Sequence, residues 1–469
     1  MKIIRNKELL KKGAAYSLCG FGQNIISGLV TGYIMVFFTD ALGISAFTAG
    51  IVMFGARIID IFSDPLLGKM IDKTAVKYGS LRGYLLFVPW LSGLITVACF
   101  YSPDISVKGR TVYAAAAFVL WGIIYTLVDV PYWGIPNSLT SNSLERDGLL
   151  TAGRMFSVAG SGLLTIAVPL ITGAVTRSVQ SAMPQEALST EVYSSSLQSA
   201  LRSAFFNIAV VCSAVGAPLA SLGAFFLRKN TFSKTDIQKR AGISLFRNRR
   251  LLVLALSFVL GSLQGIYGFM YPYLSKYTLA EYTGSTDSWA SVMSVLTVPL
   301  GILGSVLLPY LCKKISRNRL YLFCQCFSGA VLILMFFIGC GSMAAVAVQG
   351  VGLFILGFPS GVRNVLTYSM IGEAVQSFHS ETGIRSEGVS FAVQTFVTKF
   401  SMALCQLAVG LCLGFSSYSP NAYTPADQVK SSLFFLASLG AGISSLLSAA
   451  PVFFYNLRRN NNQTDVTAD

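Results

Sequence analysis

Apolar and polar positions fall along this chain in long blocks, not at short period. Runs of about twenty apolar residues recur between short polar or basic segments, and such a run matches a hydrocarbon core of ~30 Å at ~1.5 Å per residue. They lie at about 13 to 38, 46 to 68, 84 to 102, 112 to 135, 155 to 175, 203 to 227, 251 to 275, 289 to 312, 320 to 340, 344 to 370, 388 to 413 and 432 to 455. The pattern predicts an all-α membrane protein with twelve transmembrane helices. Lys2, Arg5, Lys7, Lys11 and Lys12 precede the first run, as in a signal peptide. That run is too long for an h-region and has no small-residue cleavage site, so it is expected to stay as the first span.

Composition supports this reading. The chain is 53% hydrophobic and 12% charged, where a soluble domain carries about 25% charged residues. A net charge of +15 invites a nucleic-acid reading, but its distribution follows membrane topology. With both termini on one side, that side holds 26 of the 35 Lys and Arg, the other holds 6, and Arg57, Arg363 and Lys399 fall within spans. Positive residues concentrate on the cytoplasmic side, so both termini are expected there. Arg228 to Arg250 holds one acid, Asp236, among eight basic residues. It reads as a solvated linker between two six-helix halves, in preference to a docking segment for a partner or anionic lipid. The expected division is 1–227, an N-terminal bundle with the cation site and the main solute site; 228–250, the linker; 251–456, a C-terminal bundle; and 457–469, a polar cytoplasmic tail. The nine cysteines sit in or beside apolar runs without CxxC spacing and read as small hydrophobes, not metal ligands.

Charges inside the spans carry the chemistry. Of the 20 acids, Asp60, Asp64 and Asp129 lie within runs, with Asp40 at the end of the first. An ionised side chain at the bilayer centre costs ~3 kcal/mol on insertion scales. Arg57, Asp60 and Asp64 fall at i, i+3 and i+7, one helix face, which must look at protein or a water-filled cavity. Two readings stand: a salt bridge of Arg57 with Asp60 that locks helices together, or a carboxylate pair that holds Na+ or H+. In the fourth span Tyr125, Asp129 and Trp133 stand on successive turns. A carboxylate that accepts from hydroxyls, one turn from an aromatic plane, suits a sugar. Pro131 can kink that helix. Gln23 and Asn24 lie at mid-depth of the first span, flanked by Gly20, Gly22 and Gly28; they serve the solute site or act as polar glue between helices. Lys399 falls near the middle of the eleventh span, too deep to snorkel. Arg363 is nearer a membrane face, where snorkelling or pairing with Glu373 is expected. His379, the only histidine, reads as a solvated loop residue.

Four patches then carry a resemblance: Phe38-Thr39-Asp40; Arg57-Ile58-Ile59-Asp60-Ile61-Phe62-Ser63-Asp64-Pro65; Tyr125-Thr126-Leu127-Val128-Asp129-Val130-Pro131-Tyr132-Trp133; and Thr382-Gly383-Ile384-Arg385 through Gln394, Thr395, Thr398 and Lys399. In these the chain resembles the glycoside-pentoside-hexuronide cation symporters, the family of the bacterial melibiose permease. The resemblance implies the major facilitator fold, two six-helix bundles with a solute site between them at mid-membrane. It implies a cation site at Asp60 and Asp64, with Ser63 and Thr126 beside it and Lys399 reaching toward it. It implies a sugar site of Asp129 and Trp133 with Tyr125 and Arg154 as neighbours, and Gln23, Asn24 and Lys399 are expected to join them. Arg57, Arg363, Glu373 and Arg385 are expected to act as gating or structural charges. The family's melibiose carrier has an aspartate where this chain has Asn24 and an asparagine where it has Ser63, which leaves the sugar and the choice of ion open.

The expected function is symport of a glycoside or other sugar with Na+ or H+, Li+ being a third candidate ion, by a multi-pass protein of the cell membrane acting as a monomer. No further cofactor and no nucleic acid are expected. The alternatives are an anionic sugar such as a hexuronide, or a non-sugar amphiphile, carried by the same fold. An enzyme or a non-transporting scaffold is the third class. HExxH, a strand-borne GxSxG and a phosphate loop are all missing from the sequence, which argues against an enzyme.

Overall fold

A computed structural model describes residues 7–78, 80–140, 143–227, 248–266, 270, 273–274, 286–339, 341–382, 387–416, 418–419 and 427–453. Among these the regular elements are all helical. In chain order they are α1 (Lys7–Val36), α2 (Ala46–Tyr78), α3 (Arg82–Cys99), α4 (Val107–Gly134), the single turn α5 (Pro136–Leu139), α6 (Ser143–Ser181), α7 (Glu191–Phe226), α8 (Arg249–Leu260), α9 (Thr286–Lys314), α10 (Arg317–Ile338), α11 (Met343–Thr382), α12 (Glu387–Phe415), α13 (Asp427–Phe435) and α14 (Ala441–Phe453). Ten helices among the described residues are long and apolar enough to cross a membrane. Of the twelve runs read from sequence, the one at 251 to 275 extends into residues outside the described set, and the one at 289 to 312 is represented by the apolar stretch Val295–Leu308 of α9.

Local chemistry sets the ends. Ser106 caps α4 by accepting from the Gly109 amide at 3.3 Å, and Asn248 caps α8 by accepting from Leu251 at 3.1 Å, each satisfying a donor the helix start leaves open. The Asn248 amide also donates to the Ala374 carbonyl of α11 at 2.9 Å, so the cap doubles as a tie between helices. α1 continues into a π-helical turn, Phe37–Ala41, and Gly43 in the left-handed region (φ 71°) turns the chain toward α2.

The chain forms two compact units. The first comprises Met1–Gln238, Gly268–Val295 and Gln406–Leu433. Its centre is α1, the most enclosed of the spans, packed chiefly on α6 and α7. The glycines noted in sequence make that packing close. A β-carbon on Gly22 would stand 2.5 Å from the Gly216 carbonyl of α7, and one on Gly28 3.0 Å from Ser161 of α6. Where α1 ends, Asp40 is buried and accepts from Thr39 at 2.8 Å and from Tyr418, while Thr39 and Tyr273 share a hydroxyl contact of 2.9 Å. Phe62, Phe87 and Phe225 stand exposed, as side chains facing hydrocarbon do.

The second unit comprises Lys239–Tyr267, Leu296–Cys405 and Phe434–Asp469. Leu254, Val362, Leu366, Met370 and Val452 form its apolar core. Beside that core Ser257, Tyr321, Gln325 and Ser448 make a buried hydrogen-bonded cluster. Glu373 is bonded to Arg317 of α10 and not to Arg363, because nearly three helical turns, about 15 Å, separate the two α11 residues while the start of α10 lies alongside Glu373.

Candidate functional site

Arg57, Asp60 and Asp64 of α2 and Asp129 of α4 are the ionisable residues at the centre of the candidate site. On α2 the i, i+3 spacing forms the salt bridge that sequence left as one of two readings: Arg57 Nη1 donates to Asp60 Oδ2 at 2.9 Å. Both are almost fully enclosed, at 5% and 2% exposure, so the pair interacts in a low-dielectric setting. The guanidinium also lies 5.2 Å from the Phe118 ring and 5.8 Å from the Trp121 ring of α4, which suits a weakly hydrated cation. One turn on, Asp64 is half-buried and accepts from Thr126 of α4 at 3.0 Å; the Thr126 hydroxyl has the Gly122 carbonyl, at 3.1 Å, as its alternative acceptor. Ser63 donates to the Asp60 carbonyl at 3.1 Å. Pro65 has no N–H to give to the Ile61 carbonyl, which leaves a further backbone oxygen available beside the acids.

Gly122 makes this approach of α2 to α4 feasible. A β-carbon there would coincide with the Asp60 carboxylate.

On the next stripe of α4, three donors converge on one oxygen. Asp129 Oδ1 accepts from Tyr125 at 3.1 Å, from Trp133 Nε1 at 3.1 Å and from Gln23 Nε2 of α1 at 3.3 Å. Arg154 of α6 lies over the Trp133 ring, 5.5 Å from its centroid. The result is a carboxylate at fixed orientation beside an aromatic face and a guanidinium, the set of groups that hydroxyl-rich solutes require.

The two stripes are joined by aromatic stacking. Phe118 and Trp121 are parallel at 6.1 Å, and Trp121 and Tyr125 are parallel at 5.0 Å. Trp121 Nε1 is fixed by the Thr96 hydroxyl of α3 at 3.0 Å. A continuous column thus runs from Arg57 to Asp129.

Of the other sequence candidates, Asn24 donates its amide to the Gly20 carbonyl of α1 at 2.9 Å, an i−4 carbonyl within reach of its short side chain. Lys399 is partly buried on α12, in the second unit. Arg363 lies on α11 in that unit, where Nη1 reaches Gln325 Oε1 at 3.5 Å. Arg385 lies outside the described residues, as do the side chains of Gln394, Thr395 and His379. Sequence reasoning missed Gly122, Trp121 and Thr96. Trp121 was within reach, since it extends the i+4 series of Tyr125, Asp129 and Trp133 by one turn.

Among the described residues no cluster of three or more His, Cys, Asp or Glu side chains could hold a metal ion. A bound ion at α2 would therefore draw on hydroxyl and backbone oxygens besides the two carboxylates, as hard monovalent ions do. The eight cysteines among the described residues are all free.

Comparison with known proteins gives a consistent picture. Residues 15–459 match the model of the family described as MFS/sugar transport protein. The isoprimeverose transporter of Lactiplantibacillus pentosus is 25% identical over 94% of this chain and 88% of its own length. A putative sulfoquinovose importer of Escherichia coli (strain K12) is 26% identical over 96% and 91%. Among solved structures the chain is similar to the D-xylose-proton symporter, with TM-score 0.61, 13% identity and coverage of 96% of this chain and 98% of that one. It is also similar to the nucleoside transporter NupG, with TM-score 0.61, 15% identity and coverage of 97% and 100%.

Proposed function

Because the chain belongs to the MFS/sugar transport protein family, we propose that it is a secondary active symporter that moves a glycoside or other sugar together with Na+ or H+ by alternating access. It is a multi-pass protein of the cell membrane, and its relatives and structural neighbours are transporters, not enzymes. In this reading 1–227 and 251–456 are the two six-helix bundles, 228–250 links them, 457–469 is a polar tail, and both termini are cytoplasmic. The carrier acts as a monomer.

Charge arithmetic on α2 supports a single monovalent ion. Arg57 cancels one of the two carboxylates, so Arg57, Asp60 and Asp64 together carry one negative charge, which one Na+ or one proton neutralises. Asp64 takes the ion with Thr126 and the Ser63 turn beside it, and Asp60 contributes as Arg57 yields. Asp129, Trp133, Tyr125, Gln23 and Arg154 hold the sugar, the carboxylate accepting from hydroxyls while the indole stacks on the ring face.

One observation carries this reading. Thr126 and Tyr125 are neighbours on α4, and one holds Asp64 while the other holds Asp129. An ion that engages Asp64 draws on Thr126 and shifts the helix that also sets the Asp129 cluster, so the two ligands are coupled reciprocally. Within the sugars, an acidic one is the second reading, favoured by the similarity to a putative importer of sulfoquinovose, a sulfonated sugar.

The test is uptake of a labelled sugar panel into proteoliposomes with an imposed Na+ gradient, an imposed H+ gradient, or neither. Accumulation of at least one sugar above its outside concentration under one gradient supports the proposal. Equilibration alone under every gradient contradicts symport.

A further inference from the structure

The sequence patch Phe38-Thr39-Asp40 plays no part in the α2–α4 site. Asp40 is 1% exposed at the end of the first span, and a carboxylate shut away from water needs hydrogen bonds. Two reach the same oxygen: Thr39 donates to Oδ1 at 2.8 Å, and Tyr418 donates to it as well. Thr39 has one hydroxyl proton, so with that proton on Asp40 it is left to accept from Tyr273 at 2.9 Å. The Tyr273 and Tyr418 rings pack edge to face, 5.8 Å apart at 83°. The π-helical turn Phe37–Ala41 presents Thr39 and Asp40 to them, and such turns recur at functional positions.

The two sides of this cluster differ in how firmly they are held. On the Asp40 side, Arg202 of α7 donates to the Ala41 carbonyl at 2.6 Å and Arg110 of α4 to the Leu42 carbonyl at 3.3 Å. Phe37 packs there on Phe100 and Phe205, with centroids at 5.0 and 5.7 Å. The tyrosines come from later in the chain. Gly268–Val295 and Gln406–Leu433 fall by sequence in the proposed C-terminal bundle, yet they belong to the first compact unit, so every group named here lies within one unit. In that unit α12 meets α2 through glycines. A β-carbon on Gly50 would stand 2.9 Å from the Gly410 α-carbon, one on Gly410 2.7 Å from the Gly50 α-carbon, and one on Gly414 3.0 Å from Cβ of Phe47. Backbones touch at this crossing without interlocking side chains, and in lipid no hydrophobic gain holds such helices together. Hydroxyl bonds and a smooth glycine crossing make a close contact that can part without repacking a core.

We propose that Asp40, Tyr418, Tyr273 and the Gly50–Gly410–Gly414 crossing form a latch that closes the outer face of the carrier and parts when solute enters from outside. The latch rests on the symporter reading with cytoplasmic termini, which puts the ends of α1 and α12 and the start of α2 on the outer side, and it adds the residues that hold that side shut. The alternative is a permanent structural contact, and the test separates the two.

Phe47 and Gly414 are the places for a covalent lock, because their β-carbons would lie close to disulfide distance. F47C/G414C in right-side-out vesicles is oxidised, and uptake of a labelled sugar panel is compared before oxidation, after it and after reduction, with each single variant as control. Uptake is expected to fall at least about tenfold on oxidation and to return on reduction. Undiminished uptake by the cross-linked carrier, or failure of the pair to cross-link, overturns the latch. A second arm needs no transport, so it tells failure of the latch from failure of the symporter reading. Leu413, fully buried on α12 beside Gly414, is the reporter: L413C is exposed to a membrane-impermeant maleimide from outside, and modification at that position is read by peptide mass. Adding Y418F or D40N is expected to speed labelling about tenfold, the scale of one hydrogen bond to a charged group. Equal rates with and without both changes, or labelling from the inside alone, overturn the latch. If the protein takes up no solute under any gradient while labelling rises as expected, the symporter reading falls and the outer opening stands. Should the reduced F47C/G414C be inactive, the labelling arm decides; should D40N not fold, Y418F decides, since it keeps the ring and removes only the hydroxyl.

Discussion

The Asp60 carboxylate of α2 fills the space that a β-carbon on Gly122 of α4 would need. Gly122 is one turn before Thr126, which holds Asp64, so the missing side chain lets both acids sit against α4. The proposed ion site would thus be a property of two helices, its geometry set by a residue with no chemistry of its own.

Gly122→Ala should push the carboxylate off α4. Overpacking of this kind costs about 1–3 kcal/mol, and the apparent affinity for the coupling ion should fall about tenfold or more. Gly55→Ala and Gly162→Ala are the controls, because a β-carbon at either place meets nothing within 4 Å. Ion titration of gradient-driven uptake checks this; an unchanged G122A titration removes Gly122 from the site.

Asp60 pairs with Arg57, and in the proposed mechanism it also serves coupling; the two roles separate in a double variant. Asp60→Asn leaves Arg57 buried without its partner, which should lower stability by about 3–5 kcal/mol. Arg57→Gln in the same chain removes the stranded charge. Thermal unfolding in detergent should recover in R57Q/D60N, while ion-driven accumulation stays lost. If accumulation returns with stability, Asp60 is a structural acid only.

Thr126→Val keeps the shape but takes the donor from Asp64. Ion affinity is expected to fall several-fold, by about the ~1 kcal/mol of a net hydrogen bond or more, and Thr126→Ser should restore it. The reading of Thr126 as an ion-site residue fails if valine and serine behave alike.

Trp133→Phe keeps an aromatic face under Arg154 but removes one of three donors to Asp129 Oδ1. A hydrogen bond to a charged group contributes ~1.5–3 kcal/mol, so sugar affinity should fall about tenfold or more. Ion binding measured without sugar should barely move. Equal losses of both would place Trp133 in the general packing of α4.

What sequence revealed and what it hid follow from range. The spans were legible because bilayer thickness fixes the length of an apolar run, and Arg82–Cys99 and Arg317–Ile338 fall within a few residues of the expected bounds. The stretch expected at 155 to 175 is part of a longer helix, Ser143–Ser181, because polar residues beyond the apolar run continue a helix without adding hydropathy. The Tyr125, Asp129 and Trp133 stripe was legible because i+4 spacing is a local rule, and the Arg57–Asp60 pair because i+3 is another. Contacts between helices were not. Glu373 pairs with Arg317 across 56 residues of sequence. Gly122 carries no sign in the sequence that a carboxylate from α2 will rest on it.

Coupling through α4 is tested most directly by the dissociation constant of the transported sugar, measured by equilibrium binding to purified carrier with and without saturating coupling ion, in wild type and in Asp64→Asn. The account predicts that the ion tightens sugar binding about fivefold or more in wild type and has no effect on the variant. Equal constants with and without ion in wild type, or an undiminished ion effect in D64N, would contradict it.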